Sequence, residues 1–266
     1  MPELPEVETI KRDLEETVLG KKIVRVSVHH PKVVREPSVP AFKKGIEGAV
    51  VKHILRRAKL LILELSNGKA LAVHLKMTGQ LVYPGGSPKS RVSFRLSDGK
   101  TLDFNDQRLF AELRLVDEWR DLKFVRGLGP EPQELTLPRF KEMLSVRKTR
   151  IKPLLMDQGF ISGIGNLYAA EILFRAGIHP ERRAPSLTEK EKGLLFKAIN
   201  DILKAAILHA GSSVDDYVRV SGAKGGYVKY LKAYGRKGEP CLVCKKPIQR
   251  INQGGRGTYF CPGCQK

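Results

Sequence analysis

The sequence lacks any long hydrophobic run, and its start is unlike that of a secreted protein. Its longest apolar runs, such as Leu60 to Leu63, are of strand length and fall well short of the roughly eighteen residues that a membrane helix needs. The opening residues, MPELPE, are acidic and interrupted by proline, with no basic segment ahead of an apolar stretch. These absences argue against a membrane protein and a cleaved signal peptide, and we expect a cytoplasmic protein with no membrane partner.

Acidic residues are also scarce. The 266-residue chain has 28 Asp and Glu residues against 48 Lys and Arg residues, a formal net charge of +20. A basic excess attracts polyanions, of which nucleic acid is the commonest large one, although some proteins carry a basic surface for solubility alone. The basic residues cluster: segments 139–152 and 236–266 each contain a single acid. Since hydrophobic residues make up 41% of the chain, it is no disordered tail, and we predict a folded nucleic-acid-binding protein.

The hydrophobic pattern predicts strands in the first half of the chain. Residues 5–19 precede them and have an apolar residue every three or four positions, which indicates an amphipathic helix. Alternating apolar residues then occur at 23–28, 59–65, 70–75 and 92–96 and around Leu102 and Phe104. Turn sequences such as Ser66-Asn67-Gly68 and Asp98-Gly99 separate these runs. The expected fold is an antiparallel β-sandwich or barrel with flanking helices.

The second half is predicted to be helical and to end in a finger, so that the fold class is α+β multidomain. Helices are expected at 138–146, 151–157, 167–176 and from a capping box of Ser186 and Glu189 to about 209, and residues 217–238 are expected to form a mobile loop. There are no internal repeats. The predicted domains are a sandwich domain at 1–126, a Gly/Pro-rich linker at 127–137, a helical domain at 138–234 and a small C-terminal domain at 235–266.

Four cysteines are present, and all of them lie in two C-x-x-C pairs near the C-terminus. They are Cys241, Cys244, Cys261 and Cys264. This spacing favours one tetrahedral Zn²⁺ over two disulfides or a redox pair, because disulfides conflict with the expected cytoplasmic location. Four cysteine ligands leave no open position on the metal, so the ion is expected to be structural. The intervening segment is predicted to form a hairpin with strands 249–252 and 258–260 and Arg256 near its tip.

The N-terminus carries a second chemical possibility. If Met1 is removed, Pro2 becomes a free secondary amine followed by Glu3. Condensation of such an amine with a sugar aldehyde carbon gives a cationic iminium that acidifies the adjacent carbon and permits elimination of a phosphate. Glu3 could supply a proton there. The alternative is that Pro2 and Pro5 merely stiffen the start of the chain, and the residue types alone favour that alternative.

Four motifs, in order along the chain, give a resemblance to a known family. They are MPELPEVET at 1–9, HLKMTG at 74–79, GIGNLYA at 163–169 and GGRGTYFCPGCQ at 254–265. Together they resemble the formamidopyrimidine-DNA glycosylases, bacterial enzymes that excise oxidised purines. The resemblance implies a β-sandwich domain followed by a helix-two-turn-helix domain and a zinc finger.

The resemblance also implies catalytic roles for five residues. Pro2 is similar to the nucleophile that attacks C1′ and forms a Schiff base, and Glu3 to its proton donor. Lys59 matches a lysine assigned to β-elimination, and Arg256 matches the fingertip arginine assigned to δ-elimination and phosphate contact. Glu6 resembles a second acidic residue that supports the site, although a carboxylate in the first helical turn also complements the helix dipole.

The same resemblance implies a set of DNA-binding residues. Met77, Arg108 and Phe110 match side chains that fill the gap left by a flipped nucleotide, an insertion that offsets part of the unstacking free energy. Asn166, Lys152 and Arg147 match residues that contact the DNA backbone, and residues 217–237 match a loop that closes over the everted base. For Met77 and Phe110 the alternative role is core packing. For Lys59 the alternative is an ordinary lysine at the end of a strand.

The chain departs from the family pattern around these gap-filling residues. It has Gln107, Leu109 and Ala111 where the family more often has proline, a second arginine and glycine. It has Arg91 where a histidine commonly touches phosphate, and Arg91 is expected to take over that contact. The departures leave the preferred partner base undetermined.

We therefore predict a monomeric, bifunctional DNA glycosylase and AP lyase with one structural Zn²⁺ and no nucleotide cofactor. Its expected substrates are 8-oxoguanine and formamidopyrimidines in damaged double-stranded DNA, and it is expected to nick the strand by β,δ-elimination. Two alternatives remain: an endonuclease VIII-like glycosylase for oxidised pyrimidines, and a non-catalytic zinc-finger DNA-binding protein. The second explains the charge and the cysteines, but it gives no reason for Pro2 and Glu3.

Overall fold

A computed structural model describes all residues, 1–266, and its contacts divide the chain into two compact units. The first contains residues 1–126 and 207–228, and the second contains residues 127–206 and 229–266. Residues 207–228 were expected in the helical domain. They belong to the first unit because they bond to α1 (Leu4–Thr17): the Ser212 N–H donates to Glu6 at 2.8 Å, and Asp13 accepts from Arg219.

The first unit is a sandwich of two sheets with three helices. Its further elements are β1 (Ile23–Val28), β2 (Val34–Glu36), α2 (Val39–Ile46), β3 (Val51–Arg57), β4 (Leu60–Leu65), β5 (Ala70–His74), β6 (Gly79–Val82), β7 (Val92–Leu96), β8 (Thr101–Asp106), β9 (Glu112–Val116) and α3 (Lys123–Arg126). One sheet has the strand order β1-β7-β8-β6 and the other β2-β9-β5-β4-β3. The predicted sandwich is confirmed, with one difference: the short β2 pairs in parallel with β9.

Helix α1 forms as its sequence predicts. Val7, Ile10, Leu14 and Val18 are all at most 1% exposed and pack into the core together with residues of both sheets. Helix α2 was not expected, since the region 23–116 was predicted to contain strands alone. Phe42 and Ile46, four residues apart on this short helix, are fully buried in the same core, which explains why the segment is helical.

The second unit is helical and ends in a two-stranded hairpin. Its elements are α4 (Leu137–Ser145), α5 (Ile151–Met156), α6 (Asn166–Ala176), α7 (Glu189–Leu208), β10 (Gln249–Gln253) and β11 (Arg256–Phe260). No helix in the structure has the length and apolar character required to cross a membrane. The predicted helices and hairpin are present, but the predicted capping box is wrong. Thr188 and Glu191 form it instead, with Thr188 N–H donating to the Glu191 carboxylate at 2.7 Å and Glu191 N–H to the Thr188 hydroxyl at 3.2 Å.

Candidate functional site

The predicted nucleophile and its neighbours lie at the buried start of α1. Pro2 is buried, and Glu3 and Glu6 are 4% and 3% exposed. The Glu3 N–H donates to Glu6 Oε2 at 2.8 Å, and the Ser212 N–H donates to Glu6 Oε1 at 2.8 Å. Glu6 thus holds the backbone next to Pro2 and also that of Ser212, which lies a few residues ahead of the predicted loop at 217–237. Because both of its oxygens accept backbone hydrogen bonds, Glu6 does more than complement the helix dipole.

Replacement of Glu6 by glutamine should destabilise the first unit. The amide group of Glu6→Gln keeps one acceptor and turns an N–H₂ group toward a backbone N–H donor, which costs about 1–3 kcal/mol. Urea unfolding monitored by far-ultraviolet circular dichroism measures this change. The control is Glu16→Gln, on the exposed side of the same helix, where we expect a change within about 0.5 kcal/mol. Equal effects of the two substitutions would contradict the bridging role of Glu6.

Lys59 lies in a two-residue turn between β3 and β4, where Ala58 adopts a φ of 51°. It is 7% exposed, so its aliphatic stem is largely buried. The preceding strand is fixed to α1, since Arg56 Nε donates to Glu8 Oε2 at 2.9 Å. Burial raises the pKa of Glu8, but the hydrogen bonds and charges of Arg56 and Arg12 outweigh it and hold that pKa below its ordinary value. An ionised Glu8 therefore pins the first half of α1 to the strand that leads to Lys59.

The three predicted gap-filling residues lie on two turns at one end of a sheet. Met77 is 38% and Phe110 47% exposed, so core packing is excluded for both. The Arg108 guanidinium lies over the Phe110 ring, 4.8 Å from its centroid. Both turns contain a non-glycine residue with positive φ, Lys76 at 50° and Leu109 at 57°. Such strained backbone is often concentrated at functional sites.

His74 and Arg91 support the same two turns. His74 Nδ1 accepts the Lys76 N–H at 3.1 Å. Burial, together with the charge of Lys76, lowers the pKa of His74 to about 4, so the imidazole is neutral and able to accept. Arg91, expected to contact phosphate, donates from Nε to the backbone oxygen of Asp106 at 2.9 Å. Its guanidinium is therefore anchored beside the turn that carries Arg108.

In the second unit, Lys152 and Asn166 form an internal network. Lys152 Nζ donates to Asn166 Oδ1 at 2.6 Å and to the Thr258 hydroxyl at 2.8 Å, and the Asn166 amide donates to the Gly257 backbone oxygen at 3.1 Å. Although Lys152 is only 1% exposed, it lines a cavity of about 210 Å³ together with Arg256. The network fixes β11, and therefore Arg256, to helices α5 and α6.

The fingertip geometry follows from two glycines. Gly254 and Gly255 connect β10 and β11 as a two-residue turn, and both have positive φ, 59° and 73°, which glycine adopts without strain. Arg256 follows directly and is exposed, as predicted for a fingertip. Arg147 is also exposed, and its guanidinium lies 5.7 Å from the centroid of the Phe160 ring.

The four cysteines come together as a metal site. Their sulfur atoms all lie within 4.8 Å of one another, with 3.8 Å between those of Cys241 and Cys264 and 3.3 Å between those of Cys244 and Cys261. A tetrahedral zinc with Zn–S bonds of about 2.3 Å places its sulfurs about 3.8 Å apart. The cysteines therefore fit one structural Zn²⁺, which would hold both C-x-x-C turns at the base of the hairpin.

The structural role of Asp13, in the first unit, was not predicted from the sequence, although the sequence contains a signal for it. Asp13 lies on the apolar face of α1, three positions after Ile10, and is 7% exposed. Its carboxylate accepts two hydrogen bonds from Arg219, at 2.6 and 3.2 Å, and one from the Val220 N–H at 3.1 Å. A buried acid requires such partners, so an acid within an apolar stripe was the available signal. Asp13 anchors the loop predicted to close over the everted base.

Family models match three parts of the chain. The formamidopyrimidine-DNA glycosylase N-terminal domain matches residues 1–113, the H2TH domain of the same glycosylases matches residues 127–218, and a zinc finger found in FPG and IleRS matches residues 238–266. The third match agrees with the cysteine cluster, and the expected structural zinc is confirmed.

Full-length relatives agree with these matches. The formamidopyrimidine-DNA glycosylase of Pelotomaculum thermopropionicum is 46% identical over 274 residues, which cover 100% of this chain and 99% of that protein. The crystal structure of the MutM (Fpg) protein of Thermus thermophilus matches with a TM-score of 0.90 and 38% identity, over 99% of this chain and 98% of that one. A mutant Fpg of Lactococcus lactis in complex with DNA containing Fapy-dG matches with a TM-score of 0.92 and 34% identity, over 100% of both chains. The resemblance inferred from the four motifs is confirmed, and the chain belongs to the formamidopyrimidine-DNA glycosylase family.

Proposed function

We propose that this chain excises 8-oxoguanine and formamidopyrimidines from duplex DNA and then cleaves the abasic strand. After Met1 is removed, the Pro2 nitrogen attacks C1′ of the damaged nucleotide and the C1′–base bond breaks. The base leaves with the electron pair of that bond and takes up the proton that the Pro2 amine loses. Glu3 donates a proton to O4′ as the sugar ring opens, and the nitrogen lone pair forms the C=N bond of a cationic iminium. The iminium accepts electrons from the adjacent carbon, which makes its hydrogen acidic.

Strand cleavage follows from that acidity. Lys59 removes a proton from C2′, and the electrons of that bond expel the 3′ phosphate in β-elimination. A second proton loss expels the 5′ phosphate in δ-elimination, with Arg256 in contact with the leaving phosphate. Water then hydrolyses the iminium and restores the free amine of Pro2. Glu6 contributes by holding the backbone N–H of Glu3, next to the nucleophile.

Extraction of the base depends on the exposed residues of the two turns. The observation that carries the proposal is the exposure of Met77 and Phe110 beside Arg108, in a chain related along its whole length to DNA glycosylases. Large apolar side chains are costly to expose in water, and entry into a vacated base stack removes that cost. Arg108 can donate to the orphaned partner base. Arg147, Lys152, Asn166 and Arg91 are proposed to contact the DNA backbone.

A panel of duplexes that each carry one lesion tests the substrate class. We expect single-turnover excision of 8-oxoguanine and formamidopyrimidine to be faster than excision of any oxidised pyrimidine. Faster excision of oxidised pyrimidines would favour the endonuclease VIII-like alternative. Tight duplex binding without any excision or abasic cleavage would favour the non-catalytic alternative.

Replacement of Arg108 by alanine tests the gap-filling role. Arg108→Ala should slow excision of 8-oxoguanine by about 10- to 100-fold, because the arginine donates to the partner base only after the lesion has left the stack. Cleavage at a pre-formed abasic site should fall much less, since no base is extracted there. Single-turnover rates on the two duplexes measure how much more excision is slowed than abasic cleavage. Equal losses on both would mean that Arg108 is only a phosphate contact.

The proposed cellular setting is the bacterial cytoplasm, where the chromosome lies, and it is supported by the bacterial origin of the relatives. We propose that the enzyme acts there as a monomer without a nucleotide cofactor, since the chemistry assigned to Pro2 needs none. Sedimentation of the free protein and of its complex with one duplex tests the stoichiometry. A mass of two chains per duplex would contradict the monomer.

A further inference from the structure

The strand register brings the two turns with Met77, Arg108 and Phe110 together. Strands β6 and β8 are antiparallel, and Gly79, the first residue of β6, pairs with Asp106, the last residue of β8. Met77 therefore precedes one strand, and Arg108 and Phe110 follow the other, at the same end of the sheet. The approach is close: a Cβ at Gly79 would lie 2.5 Å from the Leu75 oxygen and 3.0 Å from Ala111 Cβ.

A single carboxylate joins these turns. Asp106 is 1% exposed, and its Oδ1 accepts a hydrogen bond from the Thr78 hydroxyl and another from the Arg108 N–H at 3.2 Å. Its Oδ2 accepts the Ala111 N–H at 2.7 Å. The Arg108 N–H also approaches the Thr78 hydroxyl oxygen at 3.1 Å. Asp106 thereby closes the 106–111 turn on itself and connects it to the residue next to Met77.

We propose that Asp106 and Thr78 form a positioning pair that holds the two turns as one body. Met77, Arg108 and Phe110 would then enter the duplex together, with their backbone already in place. The inference rests on the proposed gap-filling role and deepens it. Preorganisation matters for this step because inserted side chains offset unstacking only when all of them reach the vacated space. At Leu109 the turn has a φ of 57°, which needs support from the surrounding structure.

The pair needs a side chain that accepts hydrogen bonds at both of its oxygens. The Asp106 side chain accepts three hydrogen bonds, one from a hydroxyl and two from backbone N–H groups. A carboxamide in its place would turn an N–H₂ group toward one of these donors. Valine in place of Thr78 would leave Asp106 without the bond between the turns and would keep the side-chain shape.

Strand β8 also offers a matched control. Asp103, three residues before Asp106, is likewise 1% exposed, and it accepts the Gly86 N–H at 2.7 Å, the Ser87 N–H at 2.9 Å and the Ser93 hydroxyl at 2.7 Å. It therefore fastens a turn in the same way, but that turn contains none of the gap-filling residues. Asp103→Asn reproduces the structural effect of Asp106→Asn without the proposed positioning effect.

The experiment compares single-turnover rates on two duplexes, one with 8-oxoguanine and one with a pre-formed abasic site. For Asp106→Asn and Thr78→Val we expect excision to fall by about 10- to 100-fold and abasic cleavage to fall by less than about threefold. Thr78→Ser keeps the hydroxyl and should restore excision to within about threefold of the parent. Asp103→Asn should change both rates by the same factor. Thermal unfolding shows whether each variant is folded. If Asp106→Asn is not folded, Thr78→Val provides the test.

Arg108→Ala, measured in parallel, separates failure of this inference from failure of the proposed function. One outcome is that Arg108→Ala slows excision more than abasic cleavage while Asp106→Asn and Thr78→Val, like Asp103→Asn, change both rates by the same factor. In that case the positioning pair is wrong and the gap-filling role stands. If no variant, Arg108→Ala included, separates the rates, both are wrong. Separation by Thr78→Val and recovery by Thr78→Ser support the pair, because a merely structural loss would slow both reactions alike.

Discussion

Replacement of Cys244 by serine is expected to release the zinc and to weaken duplex binding by at least about tenfold, which corresponds to about 1.4 kcal/mol. Without Zn²⁺ the two C-x-x-C turns lose their common ligand, and the finger unfolds because its buried cluster of Cys241, Ile248 and Cys261 is small and includes two of the metal ligands. The hairpin then no longer presents Arg256. The first unit has its own core and should remain folded.

Zinc content by atomic absorption, affinity for a duplex with an abasic-site analogue and far-ultraviolet circular dichroism together measure these effects. Val243→Ser is the control, because Val243 is 70% exposed between the first two cysteines and its replacement keeps all four thiols. It should retain zinc and bind the duplex as the parent does. Purified parent protein without zinc, or normal duplex binding by Cys244→Ser, would contradict the structural role of the metal.

Retention of a residue before Pro2 is expected to lower 8-oxoguanine excision by about 10³-fold or more, as loss of a nucleophile does in other covalent mechanisms. The Pro2 nitrogen becomes a tertiary amide, whose lone pair is delocalised into the carbonyl group. Duplex affinity should change little, because the phosphate contacts proposed for Arg147, Lys152 and Asn166 do not involve the N-terminus.

A form of the protein with an uncleavable N-terminal extension permits this measurement through single-turnover excision and gel-shift affinity. Pro5→Ala with a free Pro2 is the control. It alters a proline of the same segment, at the second position of α1, but leaves the nucleophile intact, so excision should stay within about tenfold of the parent. Unchanged excision by the extended protein would mean that the nucleophile lies elsewhere.

Elements with a strong local pattern were predicted well from the sequence. Strands β1 and β7 were predicted at their observed bounds, since apolar and polar residues alternate from Val24 to Val28 and from Val92 to Leu96. The finger hairpin followed from the cysteine spacing and the Gly254-Gly255 pair. Helix α2 was missed because Pro40 and Gly45 are typical of turns. The pairing of β2 with β9 was missed because it joins segments about eighty residues apart, and no local pattern encodes it.

The site was predictable as a set of residue types and less so as geometry. Family motifs pointed to Pro2, Lys59 and the gap-filling residues, whereas residues alone favoured a structural role for Pro2. The roles of Asp13 and Asp106 depend on partners far away in sequence or on backbone groups, which motifs do not reveal. Lys152 illustrates the limit: the sequence places it in a basic cluster, but only the structure shows that its side chain is 1% exposed and bonded to Asn166 and Thr258.

The most direct test of the proposed mechanism is to identify the protein atom that becomes bonded to the sugar. Borohydride reduces iminium ions, so protein mixed with an 8-oxoguanine duplex and borohydride should become covalently attached to the DNA. Mass-spectrometric peptide mapping should locate the adduct on Pro2, and the N-terminally extended protein should give at most weak trapping at a lysine such as Lys59. Undiminished trapping and excision by the extended protein, with the adduct on another residue, would contradict the account.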